Sequence, residues 1–242
     1  MARSAVKRQV NRLPPERRIS DIMKAARDVF TEKGYSEALI TDIAVRAGVV
    51  EGSIYRFFAN KRELLVKVVE RWLEELLVED AEQFAGIRGV WNQIRFIVHT
   101  HLLSIRRDPA LSRLMFQEIR PTPDYRGSRL FKLNQAYTHR LIDVVKAAIA
   151  NGELRSDTSP SLVRDMVFGA IEHRTWAFLR NEGDFDPDQI ADQITNMVYR
   201  GLATDRKGAV TFDTLFTRLD AATQRLEAIT EPQPKKRARK TA

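Results

Sequence analysis

The sequence predicts an all-α fold. Apolar residues recur at three- and four-residue spacing along almost the whole chain. No pair of alternating strands and no internal repeat interrupts them. The 242 residues are 43% hydrophobic and 8% aromatic, enough apolar material for a packed core rather than a disordered chain.

The elements follow in order. Ile19, Ile22, Met23, Ala26, Val29 and Phe30 form one helical stripe that should stop at Lys33-Gly34. Two short helices are expected around residues 40–47 and 51–58. Asn60, with Glu63 three residues on, is a capping box opening a helix through Leu64, Leu65, Val68, Val69 and Trp72. A stripe from Trp91 to Ile105 comes next, and Asp108-Pro109 starts a short helix through Leu111, Leu114 and Met115. A long stripe from Leu130 to Ala148 closes at Asn151-Gly152. Ser159-Pro160 and Asp186-Pro187 each place a cap before a proline at the first helical position, opening helices over 160–181 and 187–201. A last stripe runs from Phe212 to Ile229.

Composition excludes several classes. Without cysteine there is no disulfide, thiolate metal site or thiol nucleophile. The four histidines lack metal-ligand spacing, and no phosphate-cradling glycine loop or nucleophile elbow is present. The longest apolar run, Met166–Ile171, is too short to cross a bilayer, and no apolar segment follows the basic N-terminus. A soluble cytoplasmic protein without a cofactor or enzymatic activity is expected. The net charge of +8 sits in the ends, since residues 1–18 carry six basic side chains against Glu16 and residues 231–242 carry five against Glu231. Such tails are expected to be disordered, and they also suit a polyanion.

Residues 40–58 carry the most specific pattern. Ala44, Gly48 and Ile54 stand at the offsets of a helix-turn-helix: a small residue for close approach, a glycine for the turn and an apolar lock for the second helix. Ile43, Ala47, Val49 and Phe57 complete the buried side. Glu51, Gly52, Ser53, Tyr55 and Arg56 are left on the part of the second helix that such motifs present to the major groove of double-stranded DNA.

From Arg17 to Leu77 the chain resembles the DNA-binding domain of the TetR family of bacterial transcriptional regulators. The matching residues are Phe30-Thr31-Glu32-Lys33-Gly34-Tyr35, Ile43-Ala44, Ala47-Gly48-Val49, Gly52-Ser53-Ile54-Tyr55, Phe57-Phe58 and Asn60-Lys61-Arg62-Glu63-Leu64. The resemblance implies a homodimer reading a pseudo-palindromic operator and a C-terminal helical domain that binds a small effector. By position it implies phosphate contacts from Tyr55 and Lys61, groove contacts from Ser53 and Arg56, and close backbone approach at Gly52. Alternatives stand beside each: Tyr55 packed on Phe58, Lys61 solvated, Arg56 turned away. Where the family usually places Ser or Thr before the two short helices, this sequence has Leu39 and Val50, leaving Thr41 and Ser53 as candidate substitutes. Glu51 could accept from a cytosine amino group or simply favour the helix dipole.

The expected division is a basic tail over 1–16, the helix-turn-helix domain over 17–60, an effector and dimerisation domain over 61–230, and a basic tail over 231–242. The helix over 160–181 looks apolar on nearly every side, so it is expected either at the centre of a core or, with 187–201, at a dimer interface. Between 106 and 140, Arg106, Arg107, Arg113 and Arg120 lead an arginine-rich stretch suited to phosphate or carboxylate, the alternative being a solvated charged surface. Phe116, Tyr137, Phe168 and Trp176 are candidate cavity lining, with Glu172 and His173 as head-group contacts. Residues 101–179 are similar to acyl-CoA-responsive members of the family, through Phe168-Gly169-Ala170-Ile171-Glu172 and Trp176-Ala177-Phe178. The expectation is a ligand-released repressor with a fatty acyl-CoA or similar amphiphile as effector. The alternative is a helical acyl-CoA-binding carrier or enzyme without specific DNA binding.

Overall fold

A computed structural model describes residues 14–204, 216 and 219–224. The helices are α1 (Pro15–Glu37), α2 (Ile40–Ala47), α3 (Glu51–Tyr55), α4 (Lys61–Phe84), α5 (Val90–Arg107), α6 (Pro109–Leu114), α7 (Arg129–Ala150), α8 (Pro160–Leu179) and α9 (Pro187–Leu202). A π-helical turn, Met115–Ile119, extends α6, and a 3-10 turn, Tyr125–Gly127, precedes α7. An isolated bridge pairs Leu154 with Ala203, the described residues being otherwise helical or irregular.

Local chemistry sets most boundaries. α1 begins at Pro15, two residues inside the expected tail, with proline in its first turn. Gly34 breaks its helical path at φ 74°, ψ 176°, where the stop was expected, although one further turn continues to Glu37. Asn60 Oδ1 accepts from Glu63 N at 2.8 Å, and the Glu63 carboxylate accepts in return from Ala59 N at 2.6 Å, one residue earlier than a standard capping box. Ser159 and Asp186 cap α8 and α9 as their sequences predict, with Asp186 accepting from both Asp188 N and Gln189 N.

Two hydrophobic cores form within residues 14–203, the described part of one compact unit. The first gathers Ile22, Phe30, Ile43, Ile54, Leu64, Leu65 and Val69 with Leu111, Leu114, Met115 and Ile119. It therefore crosses the expected boundary at residue 60, because α4 supplies buried residues to the same core as α1–α3. The second gathers α5, α7, α8 and α9 around Ile94, Leu102, Leu141, Val167 and Ile171. Phe116 and Phe168 pack against both.

Of the two placements expected for α8, the structure excludes the centre of a core. Val163, Val167, Ile171, Thr175 and Leu179 are its buried residues, a single four-residue stripe, while Leu162 and Met166 are exposed. Of the second unit, residues 204–242, the described residues 219–224 are helical, with Thr223 Oγ1 donating to Leu219 O at 2.9 Å. The rest of the predicted helix Phe212–Ile229 and nearly all of both basic tails lie outside the described residues.

Asp108 does not cap α6. Its carboxylate instead accepts from Arg27 of α1 at 2.7 Å, Trp72 Nε1 of α4 at 3.2 Å and Arg107 of α5 at 3.1 Å. Removing a well-paired, mostly buried carboxylate strands its partners. Asp108→Ala is expected to cost about 3 kcal/mol in denaturant unfolding, with a smaller loss for Asp108→Asn, which keeps an acceptor.

Candidate nucleic-acid interface and effector pocket

The helix-turn-helix is assembled from α2 and α3. Gly48 turns the chain at φ 66°. That left-handed conformation disfavours any side chain, although nothing lies within 4 Å of a Cβ placed there. Its amide donates to Val45 O at 3.2 Å, and the next amide, Val49 N, to Ala44 O at 3.0 Å. Ile54 locks α3 inward at 1% exposure. Leu39 cannot cap α2, and Asp42 compensates by accepting from Leu39 N at 3.2 Å. The Lys33 ammonium at 2.8 Å and that amide hold the Asp42 carboxyl below its ordinary range, since both favour the charged form. Arg46 grips Glu32 bidentately at 2.6 and 2.7 Å. This fork binds α2 to α1 and lowers the Glu32 pKa.

The outer surface of α3 brings Glu51, Gly52, Tyr55 and Arg56 together. All four are exposed, Ser53 is half-buried, and Thr41 is exposed on α2. Tyr55 is 52% exposed while Phe58 is buried, so the tyrosine does not fold away against the core. One helical turn puts Gly52 and Arg56 opposite buried Ile54, so Arg56 points outward. Lys61 is placed differently from the rest. Its ammonium donates to the carbonyls of Tyr35 (2.8 Å), Ser36 (3.3 Å) and Ala38 (3.0 Å) and lies 4.6 Å from the centre of the Tyr35 ring. A phosphate at Lys61 would have to compete with three carbonyls at the end of α1.

The arginine-rich stretch does not converge on one anion. Arg106 binds the Phe185 carbonyl and Asp184, Arg107 binds Glu79 and Asp108, and Arg113 binds the Leu179 carbonyl. Consecutive helical residues point about 100° apart, so adjacency in sequence sends Arg106 and Arg107 to different neighbours. Arg106 and Arg107 border a groove between α4 and α5, Arg113 borders one beside the end of α1, and Arg120 faces a third, a cavity between α5, α7 and α8. Arg120 pairs with Glu172 at 2.7 Å and lies over the Phe116 ring at 5.4 Å.

That cavity holds about 400 Å³ between α5, α7, α8 and the π-helical turn. His101, Phe116, Phe131 and Phe168 supply aromatic surface, and Arg120, Asn134, Arg164 and Glu172 supply polar groups. Of the expected lining, Phe116, Phe168 and Glu172 reach it directly. Tyr137 stands behind it, its hydroxyl 3.2 Å from His101 Nδ1, and Trp176 sits beside Phe116 at 6.4 Å between ring centres. His173 is exposed and outside the lining, on a different side of α8 from Glu172. Phe131, Asn134 and Arg164 also line the cavity, and nothing in the sequence marks them as lining, Asn134 reading only as a member of the α7 stripe. Burial, then the nearby positive charge of Arg120, lower the His101 pKa to about 4, so the ring is neutral near pH 7. Among the described residues no group of His, Asp or Glu is arranged to hold a metal ion, and no helix is long and apolar enough to cross a membrane.

An exposed second helix on a glycine turn, packed by its other face onto a helical body with an aromatic cavity, defines a helix-turn-helix DNA-binding regulator. Comparison with known proteins makes this specific. A family model described as bacterial regulatory proteins, tetR family, matches residues 22–68, and one described as Tetracyclin repressor-like, C-terminal domain, matches residues 88–202. The chain belongs to the TetR family of DNA-binding transcriptional regulators, which is a family of regulators rather than enzymes. It is 22% identical over 181 residues to a fatty acid metabolism regulator protein of Bacillus subtilis, covering 75% of this chain and 93% of that one. It is 24% identical over 192 residues to the transcriptional repressor KstR2 of Rhodococcus jostii, covering 77% and 92% respectively. The fold is similar to a crystal structure of the regulator FadR from Bacillus subtilis in complex with stearoyl-CoA, with a TM-score of 0.67 and 22% identity over 75% of this chain and 98% of that chain.

Two outcomes are expected. The unfolded chain takes up a proton on histidine near pH 6.5 and the folded chain does not until about pH 4, so His101 lowers stability as pH falls across that window. Chemical denaturation at pH 7 and pH 5 will show a smaller acid loss in His101→Phe than in the wild type. Lys61→Met will lower the melting temperature without changing the slope of log K against log salt for DNA binding. A slope reduced by about 0.9 per lysine would mean that Lys61 binds phosphate instead.

Proposed function

We propose that the protein is a cytoplasmic, homodimeric, ligand-released repressor whose effector is a fatty acyl-CoA or a similar amphiphile. The observation that carries this reading is the position of the cavity. Its aromatic walls include Phe116 and Phe168, the two side chains that pack against both hydrophobic cores. An acyl chain inserted there separates the cores, while an anionic head group competes with Glu172 for Arg120. The relative named as a fatty acid metabolism regulator, and the regulator crystallised with stearoyl-CoA, support this choice of chemistry.

The route to DNA is short. Arg120 directly follows the π-helical turn, and on its other side that segment is stapled to α4: Arg62 donates to Glu118 O at 3.2 Å and Thr122 Oγ1 at 3.0 Å. Arg62 stands in the first turn of α4, just beyond α3. Ligand that shifts Arg120 therefore pulls on the base of the recognition helix, by no more than its differential affinity for the two conformations. The second copy is expected on α8 and α9. Leu162 and Met166 are exposed there beside Met197, with Ile194 and Val198 lining the same groove. Two copies then present α3 to successive major grooves of a pseudo-palindromic operator, roughly 34–36 Å apart, with Tyr55 on phosphate and Ser53, Arg56 and Glu51 at base edges.

A gel-shift against a duplex from the gene's own upstream region, with and without fatty acyl-CoA, tests the proposal. Saturable, sequence-dependent binding weakened between about 5- and 150-fold by the ligand is expected. Arg120→Glu should abolish the response to ligand. Ligand binding without any saturable DNA binding would favour the carrier or enzyme alternative.

A further inference from the structure

The surface around the recognition helix is unusually apolar. Val45 is 81% exposed, Val50 74% and Leu39 57%. Leu39 and Val50 hold the positions just before α2 and α3, where a serine or threonine would cap the helix and offer a hydroxyl; neither helix has such a cap bond. Exposed valine methyls lose contact with water only when something else covers them.

Val50 has the neighbours that say what covers it. It is the cap position of α3, in extended backbone at φ −84°, ψ 149°, followed by exposed Glu51 and Gly52. Gly52 supplies an independent observation. Glycine inside a helix costs about 1 kcal/mol relative to alanine. Yet Gly52 does not adopt a left-handed conformation, and nothing in the protein lies within 4 Å of a Cβ placed there. No contact within the protein requires this glycine, and the missing side chain leaves open space in which an outside surface can come close to the backbone.

Along the major groove the base edges present hydrogen-bonding groups and one prominent apolar group, the C5 methyl of thymine. An alkyl side chain can neither bond a phosphate nor pair with a donor or acceptor edge. We propose that Val50 is a base-reading residue that packs on the C5 methyl of one thymine in each operator half-site, with Gly52 admitting the duplex close enough for contact. The inference rests on the reading that α3 enters the major groove. It adds a methyl-specific position to the Glu51 and Arg56 contacts of that reading.

The test uses a duplex selected by the full-length protein from a randomised pool. Each thymine of the selected site is then replaced in turn by uracil, which lacks only the methyl. One thymine per half-site is expected at which uracil weakens binding about fourfold, and about fifteenfold when both half-sites are changed. Val50→Ala should bind the thymine duplex as weakly as the wild type binds the uracil duplex, and lose nothing further with uracil. Val78→Ala, exposed on α4, serves as the control and should keep the full uracil effect. The inference fails if no uracil weakens binding, or if Val50→Ala and the wild type lose equally. A pool that yields no enriched sequence would remove the major-groove reading itself, and this inference with it.

Discussion

A single carboxylate joins the two halves of the architecture. Asp108 stands at the corner between α5 and α6 and receives Arg27 from α1, Trp72 from α4 and Arg107 from α5. Arg27 reaches on to Glu75 of α4 at 3.2 Å, so α1 and α4 are fastened to each other by the same guanidinium that fastens them to the regulatory helices. A mostly buried acid is tolerable only when its partners stay in place. The geometry of α1 and α4, and with them the pitch at which α3 leaves the body, is thus tied to the end of α5. About two turns earlier on that helix, His101 already faces the cavity.

The second junction is apolar and softer. Phe116 and Phe168 complete both cores without being fully buried in either. Packed interiors respond to insertion by moving between discrete arrangements rather than by deforming smoothly. The π-helical turn beside Phe116 is a fitting place for such a change. Its wider hydrogen-bonding, Arg120 N to Met115 O at 3.0 Å, replaces regular α-helical pairing at the point where pocket and α4 staple meet. In the proposed response to ligand, Asp108 would serve as the fixed point and the segment from Met115 to Thr122 as the part that repacks.

Signals that act within a turn of helix were legible in the sequence. Gly48, the Asn60–Glu63 pair and the Ser-Pro and Asp-Pro caps each stop or start a helix through atoms a few residues apart. The helix-turn-helix followed from them, and of the outward set Glu51, Gly52, Ser53, Tyr55 and Arg56 all are exposed except Ser53, which is half-buried. Long-range pairing was not legible. Asp108 reads as a helix cap because aspartate before proline usually is one, and only the fold brings Arg27, 81 residues away, to compete for it. The arginines of 106–120 look like a cluster along the chain, yet helical rotation distributes them among Glu79, Asp184, Leu179 and Glu172. Composition counted apolar residues around α8 but could not tell which side the domain covers.

Charge on the helix-turn-helix is largely engaged internally. Lys33 pairs with Asp42, Arg46 with Glu32, and Lys61 with the carbonyls ending α1. From Glu32 to Asn60, among the described residues, Arg56 is the cation without an ion pair, resting at 5.9 Å over Phe57. Phosphate attraction acts on any duplex and falls with salt, whereas base-edge contacts distinguish one sequence from another. A recognition surface with few unpaired cations, an acid at its leading end and uncovered valine methyls draws little affinity from charge alone. On the proposed reading, in which α3 enters the groove, discrimination comes from fit against base edges, and the seating of α3 by Ile54 and the Gly48 turn is then a condition of function as well as of folding.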